Sequence, residues 1–289
     1  MTTRVLLVGM SSFDSGKTTF AGLLIDRLYQ HVSSIEYFKP ISAHNYWQRF
    51  EHTQQLLNQR RIFSADLASI KSKVKSQKDE YTLNPIHRLY VPTSPEKPLL
   101  NVPTTLGLAG PDSVIALQRF SWHDDRGMHS LVLAAENLVR QGDLLLSYEE
   151  LQKLTDGVER RAVNSLEEIQ QYENTHLEEA LTSSLAHVEE GSDLVVIESF
   201  NDTAWIWEGL DRVELVLVVG PGQAFSYDAE RFRRAAFLQK RPSMPIREVT
   251  FGRINDLLKP IGRDKWSPIG LQSTKMLDSI PTGGPSKKS

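Results

Sequence analysis

The chain of 289 residues contains no cysteine. That excludes disulfides, thiolate metal sites and a cysteine nucleophile, and it fits a cytoplasmic protein. Thermophilic proteins also avoid cysteine. No apolar run approaches membrane-spanning length, and the first apolar stretch leads into a glycine-containing loop. Neither an anchor nor a signal peptide is expected, and no membrane partner. No sign of charge dominates: the formal net charge is −3, without the basic excess of a nucleic-acid binder. The histidines do not make a metal set, because His123 and His129 fit neither helical ligand spacing nor a nearby third ligand. They are expected on the surface or in a hairpin. No internal repeat is evident. An apolar content of 40% supports a real core, read here as one domain over residues 1–280. Residues 281–289 lack apolar content and are expected to form a disordered tail.

What the chain does contain begins at residue 4. Val5, Leu6, Leu7 and Val8 form an unbroken apolar run, as in a buried parallel strand. A loop follows and ends in Gly16-Lys17-Thr18, and then a helical pattern opens with Phe20, Leu23, Leu24 and Leu28. Strand, loop and helix in this order are the context that a Walker A phosphate loop requires. Backbone N–H groups at a helix N-terminus cradle phosphate oxygens, and the helix dipole adds attraction. Ser12, Phe13, Ser15, Gly16, Lys17, Thr18 and Thr19 are the candidate nucleotide-binding residues. Lys17 would reach the terminal phosphates, and the Thr18 hydroxyl would hold Mg2+. The usual first glycine falls at Ser11, whereas Gly9 stands two residues earlier, so the loop is a longer variant.

Further buried strands are expected at Ile35–Phe38, Leu194–Ile197 and Val213–Val219, with a more polar one at Ile246–Phe251. A long helix is expected from about Leu166 to Glu190, with Ile169, Leu177, Leu181, Leu185 and Val188 near one face and Gly191 just beyond its end. Strands alternating with helices predict an α/β fold with a mostly parallel sheet covered on both faces. The rhythm is lost between about 106 and 163, which reads as an inserted middle subdomain. Within it, Val114–Trp122 and Met128–Ala134 can pair as a hairpin across His123–Gly127.

A second constellation lies downstream. Lys39 in Tyr37-Phe38-Lys39-Pro40 closes the second strand, where side chains point toward the ligand crevice of such sheets. Asp66 opens a helix. Tyr81-Thr82-Leu83-Asn84-Pro85 and Pro92-Thr93-Ser94-Pro95 follow, and Glu198 ends the run Asp193-Leu194-Val195-Val196-Ile197. A carboxylate at the end of a buried strand needs a partner. Asp202 is a reserve candidate for the metal or for activating water. Arg231, Arg233 and Arg234, close to Asp228 and Glu230, read as a solvated helix face.

In this order the elements resemble dethiobiotin synthetase, of the SIMIBI class of P-loop proteins, over roughly residues 4–100 and 185–235. The resemblance implies that Thr18, Asp66 and Glu198 surround Mg2+, and that Lys39 contacts the substrate carbamate and the transferred phosphate. It also implies a homodimer. Asp14 in the loop is the counterpart of an acidic residue that orients a substrate amine or activates water, so Lys17, Lys39 and Asp14 form the catalytic set. The chain departs from the family after Glu198, where Ser199-Phe200-Asn201-Asp202-Thr203 replaces a glycine-rich turn. The family's adenine-recognition segment has no counterpart around Thr250–Pro260.

The expected activity is Mg2+-dependent binding and hydrolysis of ATP or another nucleoside triphosphate. Its phosphoryl group would activate the carboxylate or carbamate of an unidentified small acceptor for capture by an amine. The alternatives are a nucleotide-dependent switch or assembly ATPase, and a polynucleotide 5′-kinase-like phosphotransferase.

Overall fold

The apolar run Val5–Val8 forms the centre of a strand and is excluded from solvent at every position. A computed structural model describes residues 2–12, 14–97, 113–242, 244–272 and 280. In chain order its elements begin with β1 (Thr3–Gly9), α1 (Lys17–Leu28), β2 (Ile35–Phe38), β3 (Ile41–Asn45), α2 (Phe50–Gln59), α3 (Ala65–Val74) and α4 (Glu80–Leu83). There follow β4 (Ile86–Pro92), β5 (Ser113–Asp124), β6 (Gly127–Ala134), α5 (Glu136–Arg140), α6 (Tyr148–Leu154), β7 (Glu159–Ala162) and α7 (Leu166–Glu189). The last are β8 (Leu194–Glu198), β9 (Leu215–Gly220), β10 (Gln223–Asp228), α8 (Ala229–Gln239), β11 (Gly262–Ser267) and β12 (Gly270–Leu271).

Two compact units emerge, the first made of residues 1–40, 66–78 and 185–289, the second of 41–65 and 79–184. The region read as an insertion, 106–163, falls within the second unit where it is described. The first unit holds a sheet of order β12-β11-β10-β9-β1-β8-β2. The run β9-β1-β8-β2 is parallel. β2, β8 and β9 are buried along their whole length and β1 from Val5 onward, with apolar runs in β1, β8 and β9, as in strands covered on both faces. Helix α1 packs on β1, β8 and β9, turning Phe20, Ala21, Leu24, Ile25 and Leu28 inward at helical spacing. Leu23, expected on that face, is half-buried.

A mostly parallel sheet is not what forms. Beyond β9 the pairings β9–β10, β10–β11 and β11–β12 are all antiparallel. The reason is local: Pro221-Gly222 joins β9 to β10 with Gly220 opposite Gln223, and Gly222 takes φ 76°. A connection this short allows only antiparallel pairing. The second unit's sheet, β3-β4-β5-β6-β7, is mixed as well. Its β4–β5 and β5–β6 pairs are antiparallel, while β3–β4 and β6–β7 are parallel. The fold is therefore α/β with two mixed sheets among the described residues.

Two local expectations also change. The β5–β6 hairpin is tighter than read, because His123 pairs with Met128 and Asp124 with Gly127, leaving Asp125-Arg126 as the turn. Ile246–Phe251 is not a strand: it forms the 3-10 turns Ile246–Glu248 and Phe251–Arg253. Its buried Ile246 and Val249 are three residues apart, a turn's spacing and not a strand's.

In the second unit, β3 and β4 pair around a buried polar chain. Ser42 Oγ lies 2.5 Å from His87 Nδ1, His87 Nε2 lies 2.7 Å from His44 Nδ1, and His44 Nε2 lies 3.3 Å from Thr53 Oγ1. Ser42 Oγ donates to Asn84 Oδ1 at 3.0 Å, so donors and acceptors along the chain balance with both imidazoles neutral. Burial holds His44 down to about 3, helped by His52 and Arg49. His87 is lowered well below its ordinary value by burial, then by His44 and the neighbouring cations. Both imidazoles are therefore protonated more readily in the unfolded chain than in the native one. Stability falls as pH drops from about 6.5 toward 3, by up to about 1.4 kcal/mol per pH unit for each imidazole. Urea unfolding between these pH values checks this, and His44→Gln should flatten the dependence. An equally steep profile in the variant would count against the neutral pair.

Candidate functional site

The site lies in the first unit, where the parallel strands end. Gly9 closes β1, and a loop runs from Met10 to Gly16 before α1 starts at Lys17. Both glycines are needed for space. A Cβ on Gly9 would stand 2.8 Å from Lys17 Nζ and 2.7 Å from the Asn201 carbonyl oxygen. Gly16 has φ 82°, and a Cβ there would meet the Trp266 ring at 2.5 Å. The loop thus hands over to the helix with bare backbone, and the first-turn N–H groups of α1 lack intrahelical partners.

Glu198 is the centre of the contacts. It ends β8 opposite Leu7 of β1 and is 1% exposed. Its Oε1 accepts from Lys39 Nζ at 2.5 Å and from Thr18 Oγ1 at 3.1 Å, while Oε2 accepts from the Tyr37 hydroxyl at 2.8 Å. Lys39, just past β2, also donates to the Ser199 carbonyl at 3.3 Å and pairs with Asp66 Oδ2 at 3.2 Å. Asp66 stands in the first turn of α3 with its side chain 42% exposed. Lys17 Nζ donates to Ser15 Oγ at 3.2 Å, and among the described residues its ammonium makes no ion pair.

The electrostatics separate the two lysines. Burial, and then the charge of Lys39, push Lys17 down to about 8, against the pull of Glu198, Asp66 and Asp202. Burial acts on Lys39 too, but Glu198 and Asp66 outweigh it and hold its ammonium above the ordinary value. For Asp66, burial is likewise outweighed by Lys39, and its carboxyl is lowered. The Tyr37 hydroxyl is driven well up by burial and by Glu198.

Of the residues predicted from sequence, Lys17, Thr18, Lys39, Asp66 and Glu198 stand together in this cluster. Ser15 joins them through Lys17. Ser12 is exposed and donates to Asp202 Oδ1 at 3.0 Å. Thr19 is exposed. Asp14 is exposed too, with its backbone at φ 51°, and stands outside the contacts of Glu198 and Lys39. Phe13 lies outside the described residues. Asn84 belongs to the second unit, where its side chain accepts from Ser42 and Ser64 N and donates to the Ile86 carbonyl. His129 pairs with Asp124 Oδ1, and His123 contacts Thr82 Oγ1.

Two participants had no role assigned from sequence. Tyr37 lies two residues before Lys39, the spacing that puts side chains on one face of an extended chain, so its place could be read. Trp266 could not be read. It reaches Gly16 from β11, held by its Nε1 donating to the Gly220 carbonyl at 2.9 Å and by an edge-on contact with Phe20.

Thr18, Asp66 and Glu198 offer two carboxylates and a hydroxyl, the hard oxygen donors that Mg2+ takes together with water and phosphate oxygens. They fit that ion in chemistry, although among the described residues no group of three or more His, Asp or Glu side chains is placed to hold a metal. Nor is any described helix long and apolar enough to cross a membrane. No family model matches the chain, and neither does any curated protein or solved structure.

The Lys39–Glu198 pair generates a stability prediction. Lys39→Met leaves Glu198 buried without its cation and should cost about 3–5 kcal/mol, whereas Lys39→Met/Glu198→Gln should recover most of the loss. Chemical denaturation of the four proteins of this cycle gives the coupling. Simple additivity of the two single changes would contradict the pairing.

Proposed function

We propose that the loop and strand ends of the first unit bind a nucleoside triphosphate with Mg2+ and act on its terminal phosphoryl group. The observation that carries this reading is Lys17. A buried ammonium at a helix N-terminus, with a neutral hydroxyl as its contact, is stabilised by a polyanion placed against it. Backbone N–H groups of the loop and of the first turn of α1 would take phosphate oxygens, and Lys17 the terminal phosphates. Thr18, Asp66 and Glu198 would hold Mg2+, which when bound neutralises charge on the β- and γ-phosphates. Lys39, fixed between Asp66 and Glu198, stabilises charge redistributed onto the transferring oxygens. Asp14, exposed on the loop, is free to meet an acceptor amine or water. The acceptor favoured is a carboxylate or carbamate, because attack by an oxygen anion needs no base for the first step.

Lys17→Ala should weaken ATP binding about ten- to hundred-fold, the value of one charge-assisted contact. Titration calorimetry decides this, and equal affinities would remove the assignment. Lys39→Ala should lower turnover about 10²–10³-fold with less effect on affinity. Turnover measured with small amines and bicarbonate, and again with an oligonucleotide, identifies the acceptor class. Acceleration by the oligonucleotide alone would replace the carboxylate reading.

The depressed Lys17 adds a dependence on pH. Above about 8 the free protein carries Lys17 largely neutral, and a bound polyanion draws the proton back. Affinity should therefore fall as pH rises through 8, with proton uptake on binding in that range. Calorimetry in two buffers of different ionisation enthalpy measures the uptake. No proton uptake at pH 9 would contradict the role given to Lys17.

A further inference from the structure

The same carboxylate oxygen is claimed twice. A divalent cation on Thr18, Asp66 and Glu198 would compete for Glu198 Oε1, the oxygen on the Thr18 side at 3.1 Å from its Oγ1, while Oε2 accepts from the Tyr37 hydroxyl at 2.8 Å. Oε1 accepts from Lys39 Nζ at 2.5 Å, and the same ammonium stands 3.2 Å from Asp66 Oδ2. Lys39 thus touches both carboxylates that the metal would use. The side chains of Lys39 and Glu198 are 4% and 1% exposed, so that pair is shielded from solvent, whereas Asp66 is 42% exposed.

We infer that Lys39 is a built-in competitor for the divalent cation, excluding the free ion from Asp66 and Glu198 and yielding to it only when a polyphosphate arrives. This deepens the function proposed above and rests on that reading for the identity of the polyphosphate. The physical reason is charge balance. A free cation must displace an ammonium from a buried carboxylate and leave that ammonium without a counter-charge. A triphosphate supplies the counter-charge, because its oxygens receive Lys39 as the metal takes over Glu198. Cation and polyphosphate therefore favour each other's binding, as linkage between two ligands requires. The arrangement spares the site from holding free ion when no substrate is present.

The test uses Mn2+ alone as probe, with no nucleotide added, its free concentration read by electron paramagnetic resonance. Wild type should show only weak Mn2+ binding. Lys39→Met should tighten it by about tenfold or more, because the competing charge is gone. Lys39→Met/Glu198→Gln should return it to the wild-type level. If Lys39→Met does not fold, Lys39→Gln keeps an N–H donor to Glu198 while removing the charge, and it should show the same gain. Unchanged Mn2+ affinity in the folded neutral variant would overturn the inference, as would a micromolar Mn2+ site in wild type without nucleotide. The two proposals fail separately. Wild type that binds MgATP, beside a Lys39 variant with no gain in Mn2+ affinity, sinks the competition alone. A gain in Mn2+ affinity beside a wild type that binds no nucleotide sinks the nucleotide reading and leaves the competition standing.

Discussion

A carboxylate that is fully buried must be compensated where it stands, and Glu198 imposes that condition on everything around it. Taking such a group out of water costs several kcal/mol unless a cation and hydrogen-bond donors meet it. The donors that meet it come from two segments: Thr18 from the first turn of α1, and Tyr37 and Lys39 from the end of β2. The parallel register makes this possible, since β8 lies between β1 and β2 and all three strands end on the same side. The site is therefore tied to the rigid part of the first unit. A shift of any one strand would strand a buried charge.

The antiparallel half of that sheet is not an appendage to the site. The turn at Pro221-Gly222 folds β10 back along β9, and β11 pairs with β10 in turn. That path brings Trp266 against Gly16, where its ring fills the space that any side chain at position 16 would need. The indole is pinned at both ends, by the Gly220 carbonyl and by Phe20 of α1. The departure from a parallel sheet thus supplies the wall behind the loop. Gly16 is demanded twice, once by its positive φ and once by this ring.

What could be read from the sequence follows from how each element buries its surface. β1, β8 and β9 are continuous apolar runs because both faces are covered, and such runs are visible without context. Lys39 and Glu198 were visible because a charge at the end of a buried run is out of place. β3 and β4 were hidden, since Ser42, His44, His87 and Arg88 break the apolar pattern while satisfying one another or a neighbouring carboxylate inside the fold. β10 and β11 alternate on a half-exposed surface, and their antiparallel course depends on two turn residues. The role of Trp266 was beyond reach, because it comes from a contact across about 250 residues of chain, and periodicity reports only on near neighbours. Asn84-Pro85 was read as part of the functional order, yet its amide is spent on Ser42, Ser64 and Ile86. A dipeptide by itself carries no information about its contacts.

The two lysines show why residue type alone does not define a role. Both are buried, both stand within reach of each other's charge, and burial lowers the pKa of each. Lys39 has spent its charge on Glu198 and Asp66, and those contacts more than repay its desolvation. Among the described residues Lys17 makes no ion pair with a carboxylate, and the largest influence after burial is the repulsion of Lys39. A protein does not hold an ammonium in that condition for stability, because a neutral side chain of the same length would pack with less penalty. Among the described residues Glu198, Asp66 and Asp202 compensate Lys17 only in part, and the function proposed above assigns the remainder to a bound ligand. The groups beside it narrow what can supply it: bare loop backbone at Gly9 and Gly16, the first-turn N–H groups of α1, and a second ammonium already neutralised. A small monovalent anion would satisfy Lys17 but leave those N–H groups to water. An extended polyanion would meet them all at once, and for that reason the phosphate site proposed for this loop is preferred to a simple anion site.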